Sequence, residues 1–263
     1  MGTPTAALPR SEQPPLEVVV PQLSRRGVLA VWAAAAAPMG LLAWVVAPLV
    51  AGRLSGPAPL GRALIATSTA GLVWQFLLVT ALVRREQGTL RWSVVREALW
   101  LRAPRSPRTG RRGGRLWLVL LPAVTVLAAQ ELVPKIPAPQ GRDLGAFLST
   151  DAAPALLRGS WGWFAVLVGG WVFNTVLGEE LLFRGYLLPR MAGAFGRFDW
   201  LVNGLLFSAY HVHRWWGIPT NVFDTLSLAL PSRRYRSALI GIAVHSVQTV
   251  VLFALVLPIV LGG

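Results

Sequence analysis

The sequence predicts an all-α membrane protein, a polytopic bundle of about seven transmembrane helices. Of its 263 residues, 54% are hydrophobic and 14% are charged, whereas a typical soluble domain has about 25% charged residues. Several apolar runs are long enough to cross a bilayer, and most basic residues lie between them. The composition therefore indicates a chain embedded in the membrane rather than a soluble domain with one large core.

Seven segments are predicted to cross the membrane. They are residues 27–51, 63–83, 116–133, 161–183, 198–212, 220–230 and 238–261. The sixth has only about half the length that a straight crossing requires, so we expect it to be short or irregular. Residues 1–26 are rich in Pro, Thr and Glu and are predicted to form a disordered cytoplasmic tail, which leaves 27–263 as the integral membrane domain.

The connection formed by residues 84–115 is strongly basic, with ten arginines and two acidic residues. Part of it predicts a short amphipathic helix on the membrane surface, because its apolar residues would share one side: Leu90, Val94, Val95, Ala98 and Leu101. We interpret this loop as a solvated cytoplasmic segment that can contact anionic lipid, and not as a nucleic-acid-binding site.

The charge distribution indicates which segments of the chain are cytoplasmic, and the cysteine content limits the chemistry that its side chains can perform. The net charge is +14, and the positive-inside rule places the tail, the 84–115 loop and the basic segments 184–197 and 233–236 in the cytoplasm. The N-terminus is therefore predicted to be cytoplasmic, and the arginine-rich chain is typical of a bacterial plasma membrane. Without cysteine the chain has no disulfides and no thiolate metal ligands.

Two adjacent carboxylates, Glu179 and Glu180, stand at the end of an apolar run. Each would cost about 2.5–3.5 kcal/mol near the middle of a bilayer unless it found a partner. Arg184 lies four residues after Glu180, the spacing of a helical ion pair, so these two are predicted to neutralise each other. Glu179 is turned about 100° around the helix and is left unpaired. An unpaired carboxyl group in a low-dielectric site suits general acid–base catalysis.

Two histidines lie inside other predicted spans. His211 follows Phe207 by four residues, so the two rings share a face; His245 is followed by Gln248 and, one turn on, by Thr249. An imidazole inside a membrane needs partners for both nitrogens, so both histidines are expected to face the bundle interior.

One unpaired glutamate and two histidines on three spans support two chemistries. In one, Glu179 and His211 activate a water that attacks a peptide carbonyl, while His245 and a polar neighbour stabilise the oxyanion. In the other, the same three side chains bind Zn²⁺ and leave a position open for water. The sequence does not separate these alternatives, so no cofactor is assigned and zinc stays open.

The order Glu179-Glu180-x-x-x-Arg184, Phe207-x-x-x-His211 and His245-x-x-x-Thr249 resembles the three motifs of the CPBP family of intramembrane proteases. This family comprises CAAX prenyl proteases and bacteriocin-processing enzymes and is also called the abortive-infection family. The resemblance covers about residues 161–257, which would form the protease-like core. It implies that Glu179 and His211 activate water and that His245 and position 249 form the oxyanion site.

At position 249 the chain has Thr where the family usually has Asn or Asp, with Gln248 as a neighbouring polar group. The resemblance implies hydrolysis of a peptide bond in a membrane-associated peptide or protein. A prenylated substrate is not expected in a bacterium. The departure at Thr249 supports an alternative, a non-catalytic membrane scaffold or immunity protein with the same fold.

Overall fold

A computed structural model describes residues 18–262, and every regular element among them is helical apart from one isolated antiparallel bridge, Arg105–Arg112. In chain order the helices are α1 (Arg25–Ala51), α2 (Pro59–Gln87), α3 (Trp92–Ala98), α4 (Gly114–Leu132), α5 (Leu144–Phe147), α6 (Ala152–Leu157), α7 (Trp161–Arg190), α8 (Ala192–Phe195), α9 (Asp199–Tyr210), α10 (Ile218–Asn221), α11 (Leu230–Tyr235) and α12 (Ala238–Leu261). A 3₁₀ turn, His211–Gly217, follows α9, and a π-helical turn, Thr225–Ala229, precedes α11.

The all-α membrane fold is confirmed. Five helices, α1, α2, α4, α7 and α12, are long and apolar enough to cross a bilayer. The two other predicted spans correspond to shorter elements: α9 has 12 residues, and residues 220–230 are divided among α10, the π-helical turn and the start of α11. The count of seven crossings is therefore not confirmed.

Helix α1 continues through Pro38 because a neighbouring helix satisfies the carbonyl that the proline leaves free. Proline has no N–H, so the carbonyl of Ala34 has no donor four residues later. The indole Nε1 of Trp74, on α2, donates to that carbonyl at 2.8 Å. At its start the helix is capped by Ser24, whose hydroxyl accepts a hydrogen bond from the Gly27 N–H at 3.1 Å. The helix thus begins two residues before the predicted span.

The basic segments meet at one end of the bundle. The N–H of Leu23 donates to the carbonyl of Arg190, and the N–H of Arg105 donates to that of Tyr235, both at 2.9 Å. At the opposite end, α6 and the start of α7 pack against the last turns of α12. We call the first of these the basic end. Residues 1–17 of the predicted tail lie outside the described part of the chain.

The largest correction concerns α7. The predicted span ended at residue 183 and was followed by a basic connector, but the helix continues to Arg190. The side chains of Arg184 and Arg190 are fully buried, and residues 178–191 lie in the core. Two stretches of α7, Phe173–Gly178 and Leu181–Leu187, are π-helical, a geometry that is frequent at functional sites.

Helix α3 covers this buried part of α7. It spans seven residues, shorter than the predicted amphipathic helix, and buries Val94 and Ala98. The carbonyl of Ala98 accepts a hydrogen bond from Arg190 Nη1 at 3.1 Å. The carbonyl of Leu99 lies 3.3 Å from where a Cβ on Gly185 would be. The apolar side of α3 therefore faces the protein, while Trp92 at its start is 66% exposed.

Candidate functional site

The bundle brings the predicted site residues together from three helices. Glu179, Glu180 and Arg184 lie on α7, His211 directly follows α9, and His245 lies on α12. All five side chains are buried. His245 is seven residues into α12, which places it about 10 Å along the helix from the basic end. The cluster therefore lies within the membrane-spanning part of the bundle, nearer to the basic end.

Glu180 anchors one half of this cluster. Its Oε1 accepts a hydrogen bond from Arg184 Nη1 at 3.0 Å, so the predicted pairing within α7 is observed. The same oxygen lies 3.1 Å from His245 Nδ1, on α12. A carboxylate can only accept, so the proton of this second hydrogen bond belongs to Nδ1 of the histidine. Glu180 is thus held by hydrogen bonds from two side chains, Arg184 on α7 and His245 on α12.

His211 has its orientation and its tautomer fixed by the backbone. Its Nδ1 lies 2.9 Å from the carbonyl oxygen of Phe207. A carbonyl oxygen cannot donate, so Nδ1 carries the hydrogen and donates it. In the neutral ring Nε2 is then unprotonated and can accept a proton. This is the state that a general base requires.

Glu179 lies opposite that free nitrogen. The distance from its Oε1 to His211 Nε2 is 3.9 Å, too long for a direct hydrogen bond. A polar separation of this size is one that a water molecule can bridge. Glu179 is 2% exposed, and Arg184 pairs with its neighbour Glu180. The predicted difference between the two acids is therefore present: Glu180 pairs with Arg184, whereas among the described residues no arginine lies within ion-pair distance of Glu179.

The ring of Phe207 packs at the centre of the cluster. The guanidinium carbon of Arg184 lies 4.0 Å from the ring centroid, a cation–π contact. His211 and His245 both meet the ring edge to face, at 5.0 and 6.1 Å between centroids. The predicted contact between Phe207 and His211 is thus observed, and the Phe207 ring also contacts Arg184 on α7 and His245 on α12.

A glycine on α12 allows this helix to approach the ion pair. A Cβ added at Gly241 would overlap with Oε2 of Glu180. It would also lie 3.1 Å from Cγ of Arg184 and 3.2 Å from the hydroxyl oxygen of Ser232. Only a residue without a side chain leaves Glu180 in place and brings His245, one turn further along α12, against it.

Thr249 is not joined to the cluster around Glu179. Its hydroxyl oxygen lies 3.1 Å from that of Thr175, on α7. The Thr175 hydroxyl donates to the carbonyl of Trp171 at 3.0 Å, so in their mutual bond Thr249 is the donor. Gln248 is half-buried on the same turn of α12. The supporting roles predicted for these two residues stay predictions.

The zinc alternative does not fit this arrangement. In the part of the chain that the structure describes, no three His, Asp or Glu side chains lie close enough together to hold a metal ion. We therefore derive no step through a metal.

Sequence reasoning missed several neighbours of the site. Tyr210 and Gln75 are fully buried and hydrogen-bonded to each other at 2.6 Å. His213 stacks on His211 with 5.4 Å between ring centroids. The contact between Gln75 and Tyr210 could not be predicted from local spacing, because it joins α2 to α9 across 135 residues.

The comparison with known families agrees with the position of the cluster. Residues 159–251 match the family model described as "Type II CAAX prenyl endopeptidase Rce1-like". The matched segment contains all three motif regions, from Glu179 on α7 to Thr249 on α12. No match was found among curated proteins or among solved structures.

Proposed function

Because residues 159–251 form a domain of the Rce1-like family of type II CAAX prenyl endopeptidases, a family of intramembrane proteases, we propose that this chain is an intramembrane endopeptidase. Its substrate class is a peptide or protein associated with the membrane, and its reaction is hydrolysis of a peptide bond. The bond is reached from the basic end of the bundle, which we assign to the cytoplasmic side of a bacterial plasma membrane.

The observation that carries this proposal is the separation of 3.9 Å between His211 Nε2 and Glu179 Oε1. A water molecule between these atoms would donate one hydrogen to each side, so its oxygen lone pairs would point outward. The site is buried, and the hydrogen bond from His211 Nδ1 to the carbonyl of Phe207 keeps Nε2 available as an acceptor. This geometry suits the activation of a water nucleophile.

In the proposed reaction the water oxygen forms a bond to the carbonyl carbon of the substrate as Glu179 and His211 take up its proton. The carbonyl oxygen becomes an oxyanion in a tetrahedral intermediate. The C–N bond then breaks, and the proton held by the Glu179 and His211 pair passes to the leaving amine. The products are a carboxylic acid and an amine, and the two residues return to their starting state.

His245 is proposed to stabilise the oxyanion. Its Nδ1 hydrogen is used on Glu180, so a hydrogen bond from Nε2 to the substrate requires the imidazolium form. The Glu180 carboxylate, held by Arg184, orients the ring for this role. Glu180 and Arg184 therefore act through His245 and do not touch the reacting atoms.

The test is cleavage of a fluorogenic peptide library by the purified full chain in nanodiscs. We expect wild type to cleave a subset of peptides and Glu179→Gln to lose at least about 100-fold in rate, because it removes the carboxylate that takes up the proton. Glu131→Gln is the matched control, since Glu131 lies on a membrane helix but its side chain is 63% exposed beside Lys135. This control should cleave at the wild-type rate.

Three outcomes are informative. Loss of cleavage in Glu179→Gln alone, with no effect of a chelator, supports the water-activation mechanism. Chelator sensitivity that added Zn²⁺ reverses would contradict it in favour of a metal site. The scaffold alternative would be favoured if wild type cleaves no peptide and if wild type and Glu179→Gln retain the same partner protein on purification. The observation that supports this alternative is the hydrogen bond between Thr249 and Thr175.

A further inference from the structure

Helix α1 reaches the backbone of the segment that carries His211. The indole Nε1 of Trp44, on α1, donates to the carbonyl oxygen of Val212 at 3.1 Å. Val212 directly follows His211 in the 3₁₀ turn. One helical turn before Trp44, a Cβ on Gly40 would lie 3.4 Å from Cγ2 of Val212, so α1 also packs against this side chain. Helix α1 precedes residues 159–251, so the family match gives no role to Trp44.

A break in the 3₁₀ turn explains why the Val212 carbonyl takes a donor from another helix. Arg214 has dihedral angles φ of −141° and ψ of 57°, which are not helical. Carbonyls at the end of a helical segment have no intrahelical donor, and inside a membrane there is no bulk water to replace it. An indole N–H is a donor only, so it suits such a carbonyl. Trp44 therefore holds the peptide plane next to the proposed base.

Two further contacts hold the Trp44 indole in place. Its ring meets that of Trp216, near the other end of the 3₁₀ turn, edge to face with 6.4 Å between centroids. The guanidinium carbon of Arg142, in the connection between α4 and α5, lies 4.0 Å from the centroid of the Trp44 ring, a cation–π contact. The indole is thus held between the turn that it anchors and a cation from a different connection.

Arg142 is itself fixed by the backbone of α1. Its Nη1 donates to the carbonyl of Ala43 at 3.0 Å. Residues Leu42–Val46 of α1 form a π-helical turn, in which a carbonyl accepts from the fifth residue on. For Ala43 that residue is Pro48, which has no N–H. The arginine supplies the missing hydrogen bond, and this bond keeps its guanidinium above the indole.

We infer that Trp44 is a positioning residue for His211: its indole N–H fixes the peptide that follows the histidine, and Arg142 holds the indole. The inference rests on the proposed function, because the separation of 3.9 Å between His211 Nε2 and Glu179 Oε1 depends on where the turn places the ring. The hydrogen bond to the Phe207 carbonyl fixes the ring relative to α9, and Trp44 fixes the end of α9 relative to α1. Neither Trp44 nor Arg142 touches the reacting atoms.

Two changes at position 44 and one at position 142 test this role. Trp44→Phe keeps an aromatic ring and removes the donor, so we expect kcat to fall about three- to tenfold, the factor that corresponds to one hydrogen bond, with KM changed less than about twofold. The analogue β-(3-benzothienyl)alanine at position 44 keeps the bicyclic ring and removes only the N–H, so it should lower kcat equally. Arg142→Met should also lower kcat and should add little to Trp44→Phe, because both changes release the same indole.

Trp74→Phe is the matched control. It removes another indole hydrogen bond to α1, the one to the carbonyl of Ala34 at 2.8 Å, and leaves the turn after α9 untouched. Its rate per folded molecule should equal that of wild type even though its unfolding midpoint falls. Midpoints of unfolding in detergent are recorded for every variant, so that loss of folded protein is not mistaken for loss of rate. The inference is overturned if the benzothienyl analogue keeps the wild-type kcat, or if kcat falls only in proportion to the folded fraction.

A second measurement does not require activity and therefore separates failure of this inference from failure of the proposed function. The chain has three histidines, so the ring nitrogens of His211 can be assigned in ¹⁵N NMR spectra of histidine-labelled protein by comparison with His211→Gln. We expect these signals to shift or broaden in Trp44→Phe and to stay fixed in Trp74→Phe. Signals that are unchanged in Trp44→Phe would overturn the inference even if the protein is an active protease. Shifted signals together with no cleavage by wild type would support the positioning of His211 and contradict only the proposed function.

Discussion

The Nδ1 atom of His245 lies 3.1 Å from Oε1 of Glu180, a contact that joins α12 to α7 across 65 residues of sequence. The two adjacent acids on α7 therefore have different contacts and different proposed roles. Glu180 is occupied by Arg184 and His245, whereas Glu179 faces the free nitrogen of His211. The proposed mechanism needs both, because one acid holds the oxyanion-binding ring and the other takes up the proton.

We predict that breaking the pair between Glu180 and Arg184 destabilises the protein strongly. Both side chains are fully buried, and removing one partner leaves an uncompensated charge in the core, which typically costs about 3–5 kcal/mol. Arg184→Met should therefore lower the free energy of unfolding by about that amount, measured by denaturant titration of the detergent-solubilised chain followed by tryptophan fluorescence.

The matched control is another pair with the same four-residue spacing, Glu131 and Lys135, whose side chains are more than 60% exposed. Lys135→Met should change the free energy of unfolding by less than about 1 kcal/mol, because surface pairs are screened by solvent. Equal effects of Arg184→Met and Lys135→Met would mean that the buried pair contributes no more to the free energy of unfolding than the exposed pair.

We predict that Gly241→Ala disrupts the site. The added Cβ would overlap with Glu180 Oε2, so either α12 must move away or the carboxylate must leave Arg184 and His245. Cleavage should fall at least about tenfold and the unfolding midpoint should drop. Gly169→Ala on α7 is the control, because a Cβ there meets nothing within 4 Å, and a helical Gly to Ala change is stabilising by about 0.5–1 kcal/mol. If Gly241→Ala and Gly169→Ala have the same cleavage rate and unfolding midpoint, the close approach of α12 to Glu180 is not needed for activity or stability.

Local spacing predicted part of the site. The four-residue intervals from Glu180 to Arg184 and from Phe207 to His211 fix neighbours on one helix turn, and both contacts are observed. The partner of His245 could not be predicted in this way, because Glu180 is 65 residues distant and meets it only through helix packing. The same holds for Gln75, since nothing in the sequence near it indicates an approach to α9.

The end of α7 was predicted wrongly for a physical reason that one residue illustrates. Hydropathy treats an arginine as solvated, so Arg190 was placed in a basic connector. In the structure it is fully buried, and Glu86, 104 residues earlier, supplies the opposite charge. Burial of a charge depends on a partner from elsewhere in the chain, which a sliding window does not include.

We predict that Thr249 contributes to the contact between α7 and α12 more than to catalysis. Thr249→Val removes its hydrogen bond to Thr175 and should cost about 0.5–1.5 kcal/mol of unfolding free energy. Thr175→Val should cost more, because it also removes the hydrogen bond to the Trp171 carbonyl. The double variant should cost less than the sum of the two, because both single changes remove the bond between Thr175 and Thr249. The rate per folded molecule should change less than about threefold in Thr249→Val. A larger fall in kcat would instead place this hydroxyl at the oxyanion.

We predict that the cluster of Glu86 and Arg190 determines whether α2 and α7 stay joined at the basic end. Arg190 donates from Nη2 and Nε to Glu86 Oε2 at 2.7 and 3.0 Å and lies 4.0 Å above the ring of Tyr186, whose hydroxyl also donates to Glu86. Arg190→Lys keeps the charge but loses the second donor and the planar stacking, so it should recover only part of the loss of about 3–5 kcal/mol expected for Arg190→Met.

The measurement is the free energy of unfolding of both variants, with limited proteolysis of the connection between α2 and α4 as a local readout. Cleavage within residues 88–113 should become faster in Arg190→Met, because Arg190 also donates to the carbonyl of Ala98 and so holds α3 in place. Tyr186→Phe removes only one of the hydrogen bonds to Glu86 and should change stability by about 1 kcal/mol. If Arg190→Lys matches wild type in both assays, the paired geometry is unimportant and the charge alone suffices.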